Sequence, residues 1–197
     1  MKASKIILSS ACLCLFAAAG VCGFAADERA AKDAVKDAAK PKVTLQIVDW
    51  EETLKLVAAH KGKVVVLDAW SLSCAPCMKE FPNLVKLHQK YGGKEVVCMS
   101  LSCDYAGIKN KPPEYYREKV LKFLEKQGAD FQNLLASVPS EDLFDKKMKI
   151  SSIPVVYVFG PDGKIAKRFD NEQAKAEDDN FTYADINKFV DELVQKK

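Results

Sequence analysis

Cys74 and Cys77, separated by two residues, are the side chains whose type and spacing most clearly predict chemistry. Two thiols at this spacing can close a disulfide. They follow the apolar, β-branched run 63–70, and the predicted helix 74–91 begins at the first of them. Because a helix start offers unpaired N–H groups and the positive end of the helix dipole, it favours the thiolate of Cys74, the form that attacks disulfides. The pair therefore predicts a dithiol redox site.

The elements around this pair predict how it is positioned. Residues 63–70 and 95–101 are apolar runs typical of strands buried on both faces, and the predicted helix lies between them. A strand-helix-strand unit of this kind has parallel strands and a right-handed crossover. We therefore expect the loop 102–104 to lie at the same sheet edge as Cys74.

The rest of the chain predicts a mixed α/β domain. Residues 154–159 and 165–169 flank Gly160-Pro161-Asp162-Gly163, a hairpin signature. The remaining predicted elements are an edge strand at 43–48, helices at 51–60, 112–128, 140–148 and 183–195, and a short irregular strand at 131–138.

The first residues predict an export signal. Lys2 and Lys5 precede an uncharged stretch that runs to Ala26, and small residues stand at the expected cleavage positions. An uncleaved anchor is the alternative, although serine, alanine, glycine and cysteine dilute the hydrophobicity of this stretch. We therefore expect an exported, periplasmic protein, either soluble or tethered by this anchor. The predicted organisation is a signal peptide at 1–25, a charged spacer at 26–42 and one domain at 43–197.

Export changes the interpretation of the cysteines, because disulfides persist in oxidising compartments. Of seven cysteines, three lie in the predicted signal, which leaves Cys74, Cys77, Cys98 and Cys103. Four thiols allow three pairings, and the short gap makes Cys74 with Cys77 the natural one. Cys98 lies in a predicted buried strand, where a free cysteine packs as a small hydrophobe. Cys103 is either an incidental loop cysteine or a third thiol that exchanges with Cys74.

The charge pattern argues against one class of partner. The formal net charge is +3, and it falls to +1 when the two lysines of the predicted signal are removed. Lysines and acidic residues are interspersed along the rest of the chain, as on a solvated surface. We therefore expect no nucleic-acid partner.

Two runs of sequence resemble a known family. VVVLDAWSLSCAPCMKEFPNL (64–84) and ISSIPVVYVFGPDGKI (150–165) are similar to the thioredoxin superfamily, and in particular to its exported TlpA/ResA-like thiol-disulfide oxidoreductases. The resemblance covers residues 43–197. It implies a three-layer α/β fold in which helices flank a mixed central sheet, with an insertion between the first β-α-β unit and the C-terminal hairpin.

The resemblance also implies roles for individual residues. Cys74 would be the nucleophile that forms a mixed disulfide, and Cys77 would resolve it. Asp68 matches the buried acid that takes the proton from the resolving thiol, and burial should raise its pKa. Glu80 shares a helix face with Cys77 and matches an acid of the exported reductases, although a solvated surface glutamate is the alternative.

Three further residues are implied to contact the substrate. Pro154 matches the family's cis-proline, which lies against the disulfide, and Ile153 would then supply the amide that pairs with a substrate strand. An ordinary proline at the first position of a strand is the alternative. Trp70 matches the tryptophan beside the disulfide, although a large aromatic there could simply cap the core.

The dipeptide between the cysteines bears on the direction of electron flow. Ala75 and Pro76 carry no charge, whereas strong oxidants of this superfamily have a histidine there that stabilises the thiolate. We therefore expect a protein-disulfide reductase. We also expect it to be a monomer without cofactor or metal. Its partners would be disulfide-containing proteins and a membrane or soluble thiol donor that reduces it.

Three other functions could use the same fold. A copper-delivery protein binds Cu(I) through two thiolates, but copper chaperones of this shape resemble C-x-x-x-C with a distant histidine. A peroxidase would have a lone cysteine in a threonine-containing loop. A non-catalytic binding module would keep the disulfide as a structural staple, and this alternative stays open together with copper delivery.

Overall fold

The structure is a computed structural model that describes residues 42–176 and 179–196. The predicted signal at 1–25 and, except for Lys42, the predicted spacer at 26–42 lie outside the described residues. Within the described ranges, no helix is both long and apolar enough to cross a membrane.

A six-stranded mixed sheet forms the centre of the domain. Its strands are β1 (Gln46–Val48), β2 (Val64–Trp70), β3 (Val96–Ser102), β4 (Gln132–Ala136), β5 (Val155–Phe159) and β6 (Ile165–Phe169). The strand order is β1-β4-β3-β2-β5-β6. Strands β1 to β4 run parallel to one another, β5 runs antiparallel to its neighbour β2, and β6 runs antiparallel to β5. The predicted strands are confirmed, but β1 is shorter than the predicted 43–48 because it pairs with β4 at three positions only.

Within the described residues, five helices lie between the strands or after the last of them. They are α1 (Trp50–Ala58), α2 (Ala75–Tyr91), α3 (Pro113–Gln127), α4 (Ser140–Asp142) and α5 (Tyr183–Gln195). A π-helical turn (Leu143–Met148) continues α4, so the helix predicted at 140–148 is correct in position but mostly not α-helical. Gly92 and Gly128, both in the left-handed conformation, end α2 and α3 where the sequence predicted.

The sheet separates two apolar cores, because successive side chains of a strand point to opposite faces. On one face, Val64, Val66 and Trp70 of β2 pack with α2, α3 and α5. On the other face, Leu67 and Ala69 pack with α1 and the π-helical turn. The predicted three-layer arrangement is therefore confirmed.

One edge of the sheet gathers the ends of three strands. Trp70 at the end of β2 pairs with Ser102 at the end of β3, and Ala69 pairs with Val155 at the start of β5. The segments 71–74, 103–104 and 153–154 therefore meet at this edge, which carries the cysteine pair.

Candidate active site

Cys74 and Cys77 form a disulfide at the N-terminus of α2. Cys74 is the N-cap of the helix, and its Sγ accepts a hydrogen bond from the backbone N–H of Cys77 at 3.2 Å. After reduction, this N–H group and the helix dipole stabilise a thiolate on Cys74. Cys74 is half-buried whereas Cys77 is only 3% exposed, so the first cysteine of the pair is the one reachable from solvent.

The residues on either side of Cys74 explain why the helix begins there. The carbonyl oxygen of Ser71 accepts a hydrogen bond from the N–H of Cys74 at 3.2 Å, which turns the chain out of β2. Pro76 lies in the first turn of α2, where its missing N–H removes no intrahelical hydrogen bond and its fixed φ suits a helix. The strand, the turn and the helix start therefore hold the disulfide in one place.

A half-buried acid of the neighbouring loop holds the chain just before the disulfide. The two carboxylate oxygens of Asp104 lie 3.0 and 3.2 Å from the backbone N of Leu72, and one accepts a hydrogen bond from the hydroxyl of Ser102 at 2.7 Å. Burial raises the pKa of Asp104, although these hydrogen bonds oppose the shift. The sequence predicts where this loop lies, but it does not predict the contact with Leu72.

Replacing Asp104 by alanine should loosen this chain segment and destabilise the protein. The N–H of Leu72 and the hydroxyl of Ser102 lose their acceptor, which we expect to lower the free energy of unfolding by about 1–3 kcal/mol. Urea unfolding measures this loss. Asp162→Ala is the matched control, because its carboxylate also accepts a backbone N–H bond, from Lys164, in the exposed hairpin turn. Equal losses in the two variants would contradict a particular role for Asp104 in holding the loop.

Asp68 is a buried acid on the face of the sheet that α2 covers. Its Oδ2 accepts a hydrogen bond from the hydroxyl of Tyr183 at 2.5 Å, while Oδ1 has no hydrogen-bond partner among the described residues. Burial raises the pKa of Asp68 to about 7; the hydrogen bond from Tyr183 opposes this shift, and the charge of Glu80 adds to it. A carboxyl with such a pKa can accept and release a proton near neutral pH.

Asp68 and Cys77 line the same open cleft, which has a volume of about 710 Å³. Glu80, Pro154 and Tyr183 also line this cleft. Glu80 is half-buried and accepts a hydrogen bond from the side-chain amide of a residue on its own helix, three positions further on, at 3.0 Å. The structure thus brings the two predicted acids and the second cysteine of the pair together around one space.

The segment before β5 lies against the disulfide from another side. The peptide bond between Ile153 and Pro154 is cis, and the carbonyl oxygen of Ile153 lies 3.8 Å from Sγ of Cys74. Ile153 and Pro154 are both half-buried. The segment next to the reachable sulfur is therefore partly open to solvent.

Trp70 is fully buried, so the predicted contact of its side chain with a substrate is wrong. Its ring packs against Phe81 of α2 and Phe123 of α3, with ring centroids 4.8 Å apart in both pairs. The alternation along β2 places Trp70 on the same face as Asp68, under the two helices. Its large apolar surface therefore stabilises the core on which α2 rests.

Cys98 and Cys103 are free and buried. Cys98 packs in the core beneath α2, as predicted. Cys103 packs on the opposite face of the sheet with Leu67 and Ala69, which separates it from the disulfide. Burial raises the pKa of both thiols and keeps them protonated. Of the two predicted possibilities for Cys103, the structure favours an incidental cysteine over a third exchanging thiol.

Tyr183 is the functional candidate that sequence reasoning misses. It is the first residue of α5, and the spacing between Thr182 and Asp185 marks this helix start as a capping box. That signal places the tyrosine at a helix start but does not connect it with Asp68, which lies 115 residues earlier. The contact depends on how α5 docks on the sheet.

Across residues 42–176 and 179–196, no group of three or more histidine, cysteine, aspartate or glutamate side chains is arranged to hold a metal ion.

The sequence matches a family model and is similar to curated proteins. A family model described as AhpC/TSA family matches residues 35–176. Thiol-disulfide oxidoreductase ResA of Bacillus thuringiensis (strain Al Hakam) is 29% identical over 121 residues, which cover 58% of this chain and 59% of that protein. The chain thus spans less than two thirds of the length of this curated relative.

Solved structures share the fold. A thiol:disulfide interchange protein of the thioredoxin family from Chlorobium tepidum TLS superposes with a TM-score of 0.51 at 16% identity, covering 70% of this chain and 83% of that one. A DsbF homologue from Corynebacterium diphtheriae has a TM-score of 0.51 at 21% identity, covering 70% and 76%. These likenesses confirm the predicted thioredoxin-like fold.

Proposed function

The chain belongs to the AhpC/TSA family, and from this membership we propose that it is a thiol-disulfide oxidoreductase acting on the disulfides of other proteins. The observation that carries the proposal is the Cys74–Cys77 disulfide at a helix start, beside a cleft that also holds the buried carboxyl of Asp68. The name of the Bacillus relative supports the same activity. The chain covers 59% of that relative, so the activity and its substrates are proposals.

Cys74 carries out the first half of the exchange. In the reduced protein its thiolate attacks one sulfur of a substrate disulfide, and a new sulfur–sulfur bond forms between Cys74 and the substrate. The substrate's own disulfide bond breaks, and its second sulfur leaves with the electron pair and takes a proton from water. The accessibility of Cys74 and the helix N-terminus beside its Sγ both favour this step.

Cys77 completes the reduction. Its thiol gives its proton to Asp68, and the resulting thiolate attacks Sγ of Cys74. The bond between the two cysteines forms, the mixed disulfide breaks, and the remaining substrate sulfur leaves with the electron pair and takes the proton back from Asp68. The substrate gains two electrons and two protons in all, while the dithiol of the protein becomes a disulfide.

The other predicted site residues have supporting roles in this proposal. Glu80 faces the cleft, and its charge raises the affinity of Asp68 for a proton. The half-buried segment of Ile153 and Pro154 lies beside Cys74, where an extended substrate segment can form main-chain hydrogen bonds with it. We assign substrate contact to this segment and not to Trp70.

The location and the direction of electron flow are part of the proposal. Lys2, Lys5 and the uncharged stretch that follows them support export to the periplasm. The uncharged Ala75 and Pro76 support the reducing direction, because no cation between the cysteines stabilises the thiolate form. A membrane or soluble thiol donor would then keep the dithiol reduced.

The reduction potential of the purified protein tests this direction. We expect equilibration with glutathione buffers to give a potential below about −170 mV, nearer the ~−270 mV of thioredoxin than the ~−120 mV of a strong oxidant. A Pro76→His variant should shift the potential upward, because the imidazolium stabilises the reduced form. A wild-type potential above about −170 mV would contradict the reductase direction but not the exchange activity.

A further inference from the structure

Tyr183 lies 115 residues further along the chain than Asp68, the proposed proton acceptor, and contacts it. Its side chain is 3% exposed, and its hydroxyl donates a hydrogen bond to Oδ2 of Asp68 at 2.5 Å. The first turn of α5 is fixed by a capping box, in which Oδ2 of Asp185 accepts hydrogen bonds from both the N–H and the hydroxyl of Thr182 at 2.9 Å. The tyrosine hydroxyl is therefore held in place by a helix start that does not depend on Asp68.

The two oxygens of Asp68 have different surroundings. Oδ2 is occupied by the hydroxyl of Tyr183, whereas Oδ1 is buried and has no hydrogen-bond partner within the described part of the chain. Asp68, Tyr183 and Cys77 line the same cleft. An acceptor without a partner in such a place is free to take a proton from a neighbouring thiol, either directly or through one water.

We propose that Tyr183 is a positioning residue for proton transfer at Cys77: its hydroxyl holds Oδ2 of Asp68 and leaves Oδ1 free for the thiol proton. This inference rests on the proposed function. The proton passes from Sγ of Cys77 to Asp68, and the sulfur keeps the electron pair with which it attacks Cys74. Tyr183 gives up no proton in this step, because it stays a neutral donor throughout.

Tyr183 is suited to remain a neutral donor. Burial raises its pKa well above the ordinary value, and the charge of Asp68 raises it further. The other titratable groups near Asp68 are Cys77, Lys79 and Glu80 on α2, which line the same cleft, and two buried thiols. These thiols belong to Cys98 on β3 and to Cys103, which packs on the opposite face of the sheet. None of these groups donates a hydrogen bond to the carboxylate of Asp68 within the described residues, whereas Tyr183 does.

A Tyr183→Phe variant tests the proposal, because it removes the hydroxyl and keeps the buried ring. In the wild type this hydrogen bond favours the charged carboxylate, so its loss should raise the pKa of Asp68 by about one unit. We expect ¹³C NMR titration of the oxidised variant to show this rise. With insulin as the disulfide probe, kcat/KM should fall about fivefold at pH 7 and recover near pH 9, since the rising limb of the pH profile moves with the pKa.

Tyr91→Phe is the matched control. Tyr91 also donates a hydrogen bond to a carboxylate, that of Asp191, but neither residue lines the cleft. This variant should keep the wild-type pKa of Asp68 and the wild-type pH profile. If Tyr183→Phe also keeps both, Tyr183 is structural and the inference is overturned. If the wild type reduces no insulin, the proposed function fails, while the NMR titration still decides whether Tyr183 controls Asp68.

Discussion

A Cys77→Ser variant is expected to accumulate covalent mixed disulfides with its substrates, whereas a Cys74→Ser variant should form none. Serine at 77 leaves the reachable thiol able to attack but removes the thiol that resolves the adduct. Disulfide reduction should fall by roughly a thousandfold or more in both variants, since each lacks one of two groups that act as a unit. Non-reducing electrophoresis followed by mass spectrometry of the captured chains measures the difference.

Cys103→Ala is the control for this pair of variants. Its thiol lies close along the chain to the same sheet edge, but it packs on the opposite face of the sheet and burial keeps it protonated. We expect this variant to retain wild-type activity and, when combined with Cys77→Ser, to trap the same chains. Adducts that disappear with Cys103→Ala would contradict the assignment of Cys74 as nucleophile. A protein that uses its disulfide only as a staple would trap nothing.

The parts of the fold near the disulfide follow from local sequence. The apolar run that forms β2 is typical of a buried strand, and the proline two positions after Cys74 suits a first helical turn. The predicted start of β2 and the predicted start of α2 therefore agree with the structure to within one residue. Gly160 to Gly163 likewise predict the hairpin between β5 and β6. The order of these elements then fixes which loops share an edge, because parallel crossovers have one hand.

Other features depend on contacts that local sequence does not contain. The hydrogen bond between Tyr183 and Asp68 joins a helix start to a strand 115 residues away, and it forms only because α5 docks beside α2. The substrate contact predicted for Trp70 fails for a similar reason. Its position beside the disulfide is correct along the chain, but α2 and α3 both cover its ring. Burial by distant elements thus decides both the acid's partner and the tryptophan's role.

An Asp68→Asn variant should lose most of its activity near neutral pH. The amide cannot accept the proton of Cys77, and loss of a general base typically lowers a rate by about 10²–10⁴-fold. The effect should shrink at high pH, where water and hydroxide deprotonate the thiol without help. Trapping with Cys77 intact should then show mixed disulfides that persist at pH 7 and resolve at pH 9. Equal activity of variant and wild type at pH 7 would exclude Asp68 as the proton acceptor.

The same substitution should change how stability depends on pH. The pKa of Asp68 is about 7 in the folded protein, against 3.8 for an unperturbed aspartate. Between these values the folded state binds more protons than the unfolded state, so the free energy of unfolding falls as pH rises from about 4 to 7 and stays lower above. From pH 5 to pH 9 this loss amounts to roughly 3 kcal/mol.

Urea unfolding at pH 5 and pH 9 separates this charge effect from the packing cost of the substitution. Wild type should lose roughly 3 kcal/mol more than Asp68→Asn between the two pH values, whatever the asparagine costs at both. Asp162→Asn, in the exposed turn, should follow the wild type. A buried carboxyl that destabilises the protein above neutral pH and yet is needed for exchange would be explained by catalysis and not by folding. Identical pH dependence in all three proteins would mean that Asp68 titrates as an ordinary aspartate, and the proton transfer from Cys77 would then need another acceptor.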